Sequence, residues 1–273
     1  MKTLVLANHK GGVGKSAVAT LLAHFFVQRS LRVLAIDLDH QGNFSNPLQL
    51  SGRATVAPVG AHAAMATSVS SLPSASMVLV PSERDLIGLE RQSALHTPFA
   101  RNLRMFLTAM DRQFDVCVID TNPNPDIRLI AALASTDFVL SPVQLTQEAL
   151  DGLSALLNHE RVGLRKIKAV LNPKLRLIGL LPSMVEATPF QKANFVHVVQ
   201  HYRSLMIPLS DRVGDIASLP KRTAIAEAQA AGAVLWEVKK TAARDAWKEI
   251  EPSLMRIADI VTAQEVAHGH AAA

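Results

Sequence analysis

Three short runs of branched apolar residues, at 3–7, 32–36 and 116–119, each end in a polar cluster that begins at Asn8, Asp37 and Asp120 respectively. Such runs predict strands buried on both faces, with loops of functional character at their C-terminal ends. Between the first two, Ala17, Val18, Leu21, Leu22, Phe25 and Phe26 recur at helical spacing within 15–29. That makes a βαβ unit of the usual length. Further apolar runs at 77–80, 138–140, 177–181 and 205–207 predict strands, and helical periodicity marks 98–112, 127–134, 148–160 and 189–202. The alternation predicts an α/β fold, a doubly wound and mostly parallel sheet with helices on both faces. Residues 51–76 carry one charge, Arg53, and sustain neither period, which predicts a small irregular insertion. A long terminal helix is expected from 241 to about 266 on the stripe Ala242, Ala246, Ile250, Leu254, Ile257 and Val261, with Pro252 as an interruption. Residues 268–273 read as a frayed tail, leaving one domain over 1–267.

Composition narrows the class. Of 273 residues 49% are hydrophobic and 19% charged, which supplies a core and excludes a chain disordered throughout. The first apolar run is interrupted by Asn8, His9 and Lys10 and is too short for a signal peptide. No uninterrupted run reaches the roughly 18 apolar residues of a membrane span, because Asp137 and Pro142 break the stretch 129–145. Cys117 is the only cysteine, so an internal disulfide and a cysteine-built cluster within one chain are excluded, and a reducing cytoplasm is expected. Within its strand Cys117 reads as a small core hydrophobe.

The strongest motif is Lys10-Gly11-Gly12-Val13-Gly14-Lys15-Ser16, placed between the first strand and the first helix. A phosphate loop requires that context. Glycines 11, 12 and 14 let backbone N–H groups turn around a polyanion, and the first turn of the helix, at Ser16 and Ala17, adds its positive dipole end. Lys15 is then expected to reach the β and γ phosphates of ATP, and the Ser16 hydroxyl to ligate Mg²⁺. Carboxylates at two further strand ends, Asp37 and Asp120, suit water positioning and metal binding.

Position 9 is His where the usual phosphate loop has glycine, and Lys10 heads the loop. In this respect the chain resembles the deviant Walker A ATPases, the ParA/MinD family, whose K-G-G-x-G-K-[ST] is matched at every fixed position. The resemblance implies that Lys10 reaches the phosphates of a partner subunit in a nucleotide-sandwich homodimer, and that His9 is a loop residue facing away from the nucleotide. Asp37-Leu38-Asp39-His40-Gln41-Gly42-Asn43 resembles the family's D-x-D-x-Q-G-N segment, with His40 in place of its commonest proline. By resemblance Asp37 positions the attacking water near the metal, while Asp39 either shapes the loop or touches the metal's outer shell. The segment ending in Asp120-Thr121-Asn122-Pro123 is similar to a Walker B strand and its D-T-P-P switch, with Asn122 as the departure. Asp120 would hold Mg²⁺ through water.

Later segments extend the resemblance over most of the chain. Ser135 to Val143, followed by Glu148 to Leu153, resembles the family's A-D-x-V-x-x-P-V strand and turn, and Leu171-Asn172-Pro173, Leu181-Pro182-Ser183-Met184-Val185, Ile207-Pro208 and Ala224-Ile225-Ala226-Glu227-Ala228 are most similar to ParA-type ATPases of broad-host-range plasmids. Pro208 is thereby expected at the nucleotide, and Ser183 stands where relatives often carry an Asn that reads adenine. Residues 165–248 hold a surplus of eight positive charges although the whole chain has only +5, with tight clusters at Lys221-Arg222 and at Lys239-Lys240 with Arg244. Few aromatics are interleaved, which fits phosphate-backbone contact without base readout, or simply a solvated helix face. Because the loop begins at Lys10, no helix-turn-helix domain is expected before it.

The resemblance implies a partition ATPase that dimerises on ATP, binds DNA nonspecifically at the nucleoid and is stimulated by a ParB-type centromere-binding protein. A MinD-like membrane-positioning ATPase is the alternative. It needs a basic amphipathic C-terminal anchor, and residues 262–273 contain neither Lys nor Arg, so no membrane partner is expected. An iron–sulfur scaffold of the same superfamily would need paired cysteines.

Overall fold

The computed structural model describes residues 1–146, 154–186 and 188–263. Strands β1 (Lys2–Leu6), β2 (Val33–Asp37), β3 (Thr55–Val56), β4 (Met77–Val80), β5 (Val116–Asp120), β6 (Phe138–Val143), β7 (Arg176–Val185) and β8 (Leu219–Pro220) form one sheet in the order β3-β4-β2-β5-β1-β6-β7-β8. Every pair is parallel. The sheet therefore carries its loops of common direction at one edge, and the three polar clusters read from the sequence lie side by side there. Leu6 and Asp37 both stand in register with Asp120.

The helices are α1 (Lys15–Gln28), α2 (Ser45–Leu50), α3 (Ala61–Ala66), α4 (His96–Met110), α5 (Ile127–Ser135), α6 (Leu164–Val170), α7 (Pro189–Tyr202), α8 (Thr223–Ala230) and α9 (Thr241–Thr262). Alternate strand residues feed two cores, as a sheet covered on both faces requires. Val5, Ile36, Cys117, Ile119 and Val139 pack towards α3, α4 and α5. Leu4, Leu6, Ala35, Val118 and Leu140 pack towards α1, α8 and α9. Cys117 is fully buried, and its burial raises the thiol pKa well above the usual value, as expected of a core residue. No described helix is long and apolar enough to cross a membrane.

Three sequence expectations are corrected. The segment 51–76 is not irregular throughout: it supplies the edge strand β3 and the short helix α3, because Ala61, Ala64 and Met65 are apolar enough to be buried against the sheet. Residues 205–207 form no strand. Met206 makes a single bridge to Leu180, and Pro208, which has no N–H to continue a ladder, makes one isolated antiparallel bridge to Ile216. The eighth strand is Leu219–Pro220 instead. The apolar stripe of α9 runs through Ala243 rather than the exposed Ala242. Pro252 lies within α9 without ending it, because it sits on the exposed side where the missing hydrogen bond faces water. Part of the helix expected at 148–160 and the tail at 268–273 lie outside the described residues; residues 154–158 are helical.

Candidate functional site

Residues 8–14 pass from the end of β1 into α1 through two left-handed glycines, Gly12 at φ 73° and Gly14 at φ 87°. At Gly14 a side chain is also excluded by space, since a Cβ would stand 2.9 Å from Ser183 Oγ. Gly14 is the N-cap of α1 and no side chain caps that helix, so its first-turn N–H groups are left for a ligand. Asn8 holds the base of the loop: its Nδ2 donates to the Pro142 carbonyl at 2.8 Å, and its Oδ1 accepts from Lys10 N at 2.8 Å. Gln144 Nε2 donates to Gly12 O at 3.0 Å. Lys15 is buried and folds over the loop, its Nζ donating to the carbonyls of Asn8 at 3.3 Å and Lys10 at 3.2 Å. Burial lowers the Lys15 pKa, opposed by the nearby carboxylates of Asp120 and Asp39. His9 stacks on His159 with ring centroids 5.4 Å apart, and burial with the neighbouring His159 and Lys15 brings its pKa down to about 4.

The two acidic strand ends close the other side. Ser16 Oγ donates to Asp120 Oδ2 at 2.6 Å, whereas the buried Asp120 Oδ1 has no hydrogen-bond partner. Asp37 is fully buried, and its carboxylate accepts from Ser45 Oγ at 2.7 Å, Ser45 N at 2.8 Å and Asp39 N at 3.0 Å. Those three bonds do not offset desolvation, which raises the Asp37 pKa to about 6. Burial, with Asp37 as the next cause, holds Asp120 well above the usual carboxylate range. Two buried carboxylates and a hydroxyl make a hard oxygen donor set short of positive charge, and the orphaned Asp120 Oδ1 fits a cation there. No group of three His, Cys, Asp or Glu among the described residues could hold a metal alone. Phosphate oxygens and water would have to complete the coordination, as a small divalent cation commonly requires.

Beside Gly14 opens a cavity of about 260 Å³ whose walls include Ala17, Val18, Leu21, Ser183, Met184 and Pro220. Its walls are largely apolar, which suits a flat aromatic ring attached to a group in the loop. Pro208, expected at the nucleotide, does not line this cavity: it lies in a different pocket with Arg203, Asp211 and Arg212. The chain between Pro208 and Leu219 turns back through the Ile216 bridge, so Pro220 takes the place beside the loop. Lys221 and Arg222 line the same cavity, far from the phosphate loop in sequence but near it in space.

The basic clusters are largely engaged with carboxylates. Lys221 Nζ lies 2.5 Å from Glu186, Arg222 forms a two-pronged pair with Glu249, and Lys240 Nζ lies 3.1 Å from Glu227. Lys239 and Arg244 are exposed. Sequence reasoning missed Asn8, Ser45, Gln144 and Arg128. Asn8 stood at the head of the polar cluster after β1, and Arg128 was a lone charge in the apolar run after Asp126.

The AAA domain family model matches residues 1–177. Protein IncC of Escherichia coli is 35% identical over 260 residues, covering 92% of this chain and 67% of that protein. The chain belongs to the ParA-type partition ATPase family. Chromosome-partitioning ATPase Soj of Thermus thermophilus is 33% identical over 189 residues, covering 68% of this chain and 70% of the relative. Among solved structures, a Cyanothece McdA–ATP complex superposes with a TM-score of 0.70 at 21% identity, over 94% of this chain and 96% of the other. That likeness supports the ParA-type fold. The matches to IncC and Soj support a partition ATPase.

Proposed function

We propose that the chain is a Mg²⁺-dependent ATPase of DNA segregation, carried by one domain over 1–267. The orphaned Asp120 Oδ1 carries this reading: it lies beside the Ser16 hydroxyl and the uncapped start of α1, where a triphosphate and its cation supply the missing charge. Backbone N–H groups from Gly11, Gly12, Val13, Gly14, Lys15, Ser16 and Ala17 cradle the phosphates. Lys15 leaves the loop carbonyls it now contacts and neutralises the β and γ oxygens. Ser16 and Asp120 would hold Mg²⁺, with Asp37 nearby, and the bound cation would supply positive charge for the phosphoryl group undergoing transfer. Asp37 accepts a hydrogen bond from the attacking water and fixes its line of approach. The bonds from Ser45 and the Asp39 amide hold that carboxylate in one orientation.

Lys10 completes the site of a second subunit in an ATP-dependent homodimer. DNA is bound without base readout by the basic third of the chain, Lys239 and Arg244 first, then Lys221, Arg222 and Lys240 once their carboxylate partners yield. A ParB-type centromere-binding protein stimulates turnover, and the protein works in the cytoplasm at the nucleoid. Light scattering with Mg²⁺ and ATP tests the assignment: the unaltered chain should double its mass, and Lys10→Ala should bind ATP yet remain monomeric. A normal dimer with full turnover in Lys10→Ala would make Lys10 a loop residue only.

A further inference from the structure

Beyond the last shared backbone bond of β2 and β5, Leu38 N donating to Asp120 O at 3.0 Å, the two acidic loops diverge. Asp37 lies at the root of one and Asp120 at the root of the other, so hydrolysis by this site needs their relative position preserved or moved in concert. A buried side chain spans the gap. Arg128, in the first turn of α5, is 4% exposed, and its Nε donates to Asp126 Oδ2 at 3.0 Å, with Nη2 on the same oxygen. Its Nη1 turns to the other loop, 3.4 Å from Leu38 O and 3.3 Å from His40 Nδ1. Asp126 caps α5 by accepting from Arg128 N at 3.0 Å and accepts from Asn122 Nδ2 at 2.8 Å. Asn122 Oδ1 is buried without a partner, so the amide is oriented by Asp126 alone. The chain of contacts runs His40, Arg128, Asp126, Asn122 and ends two residues from Asp120, having begun three residues from Asp37.

We propose that Arg128 is a positioning residue that latches the loop after β2 to the loop after β5, so that a displacement of either loop is transmitted to the other. A buried guanidinium has a planar fork that bonds two separate acceptors at fixed angles, which a lysine or a solvated ion pair does not. Removing its charge would leave Asp126 buried and unpaired, so the latch is stable only while both loops keep their places. His40 and Asn122, the two departures from the family pattern in these loops, both belong to it. Arg128 touches no reacting group; it acts through Asp37 and Asp120.

This inference rests on the hydrolysis reading for its consequence but not for its test. Amide hydrogen exchange on the full nucleotide-free chain should show His40→Ala, a half-buried side chain whose loss keeps the core, raising exchange in residues 121–126 as well as in 38–43, by on the order of tenfold. Arg128→Lys should do the same to both loops, more strongly. Exchange that rises only in 38–43 in the His40→Ala chain would overturn the latch, whether or not Arg128→Lys folds. In ATP turnover, both variants should lower kcat by about fivefold or more with KM and ADP affinity unchanged, and His40→Ala should add nothing to Arg128→Lys. Equal losses in kcat and ADP affinity, or additive losses, would reduce Arg128 to a structural role. A chain with coupled exchange but no turnover would instead refute the hydrolysis reading and leave the latch standing.

Discussion

At the ends of β2 and β5 and in the phosphate loop, Asp37, Asp120 and Lys15 are buried and Asp120 keeps one oxygen without a partner, whereas Lys221, Arg222 and Lys240 are exposed and each lies against a carboxylate. Asp120 is fully buried with one free oxygen, Lys15 spends its ammonium on loop carbonyls, and the pKa values of Lys15, Asp37 and Asp120 are all displaced by desolvation. Lys221, Arg222 and Lys240 face water with Glu186, Glu249 and Glu227 beside them. Displaced charge without compensation is costly to fold and persists where a ligand supplies the remainder. Exposed pairs contribute little to stability and can be exchanged for another anion at small cost. The first region is thus committed to one ligand chemistry, and the second is available to any polyanion.

The sharpest way to break this contrast lies at Asp37. Asp37→Ala should lower ATP turnover by about 10²- to 10⁴-fold while leaving ATP bound, because only the orientation of the water is lost. Equal turnover in the variant and the unaltered chain would remove Asp37 from the mechanism. Lys15→Ala should weaken ATP binding by about 100-fold, near 2.7 kcal/mol, measured by calorimetry. Retained affinity there would mean that the loop backbone alone holds the phosphates.

In the exposed region the effects should be smaller and dependent on salt. Lys239→Glu with Lys240→Glu should weaken DNA binding by on the order of tenfold and flatten the log–log salt dependence by about one unit for each DNA phosphate no longer neutralised. An unchanged affinity and slope would leave that cluster a solvated face and move the search to Arg165, Lys166, Lys168, Lys174 and Arg176. The smallest effect expected is on stability. His24 is buried on α1, and burial, then the charge of Arg53, lowers its pKa from 6.5 to about 4. The unfolded chain therefore takes up the proton first, so stability is complete above pH 6.5 and declines as pH falls towards 4. Thermal melts of His24→Gln should show a flatter acid limb between those values, and an identical limb would assign the decline to other groups.

The sequence by itself determined whatever depends on neighbours along the chain. The loop glycines, the period of α1, the branched runs of β1, β2 and β5 and the helix Pro189–Tyr202 were all legible, because local spacing encodes which face is buried and which backbone angles are needed. Lys15, Ser16, Asp37 and Asp120 were placed on the same ground, at the ends of elements whose direction a parallel sheet makes common. Only the tertiary structure decided the rest. Pro220 rather than Pro208 borders the cavity because the chain reverses through a bridge at Ile216 that no local pattern announces. The partners of Lys221, Arg222 and Lys240 stand 35, 27 and 13 residues away, so a count of charge could not reveal that they were engaged. Arg128 reaches Leu38 and His40 across 90 and 88 residues, and its geometry exists only after β2 and β5 have come to lie side by side. Contacts of that range depend on strand order, and strand order is a property of the assembled sheet.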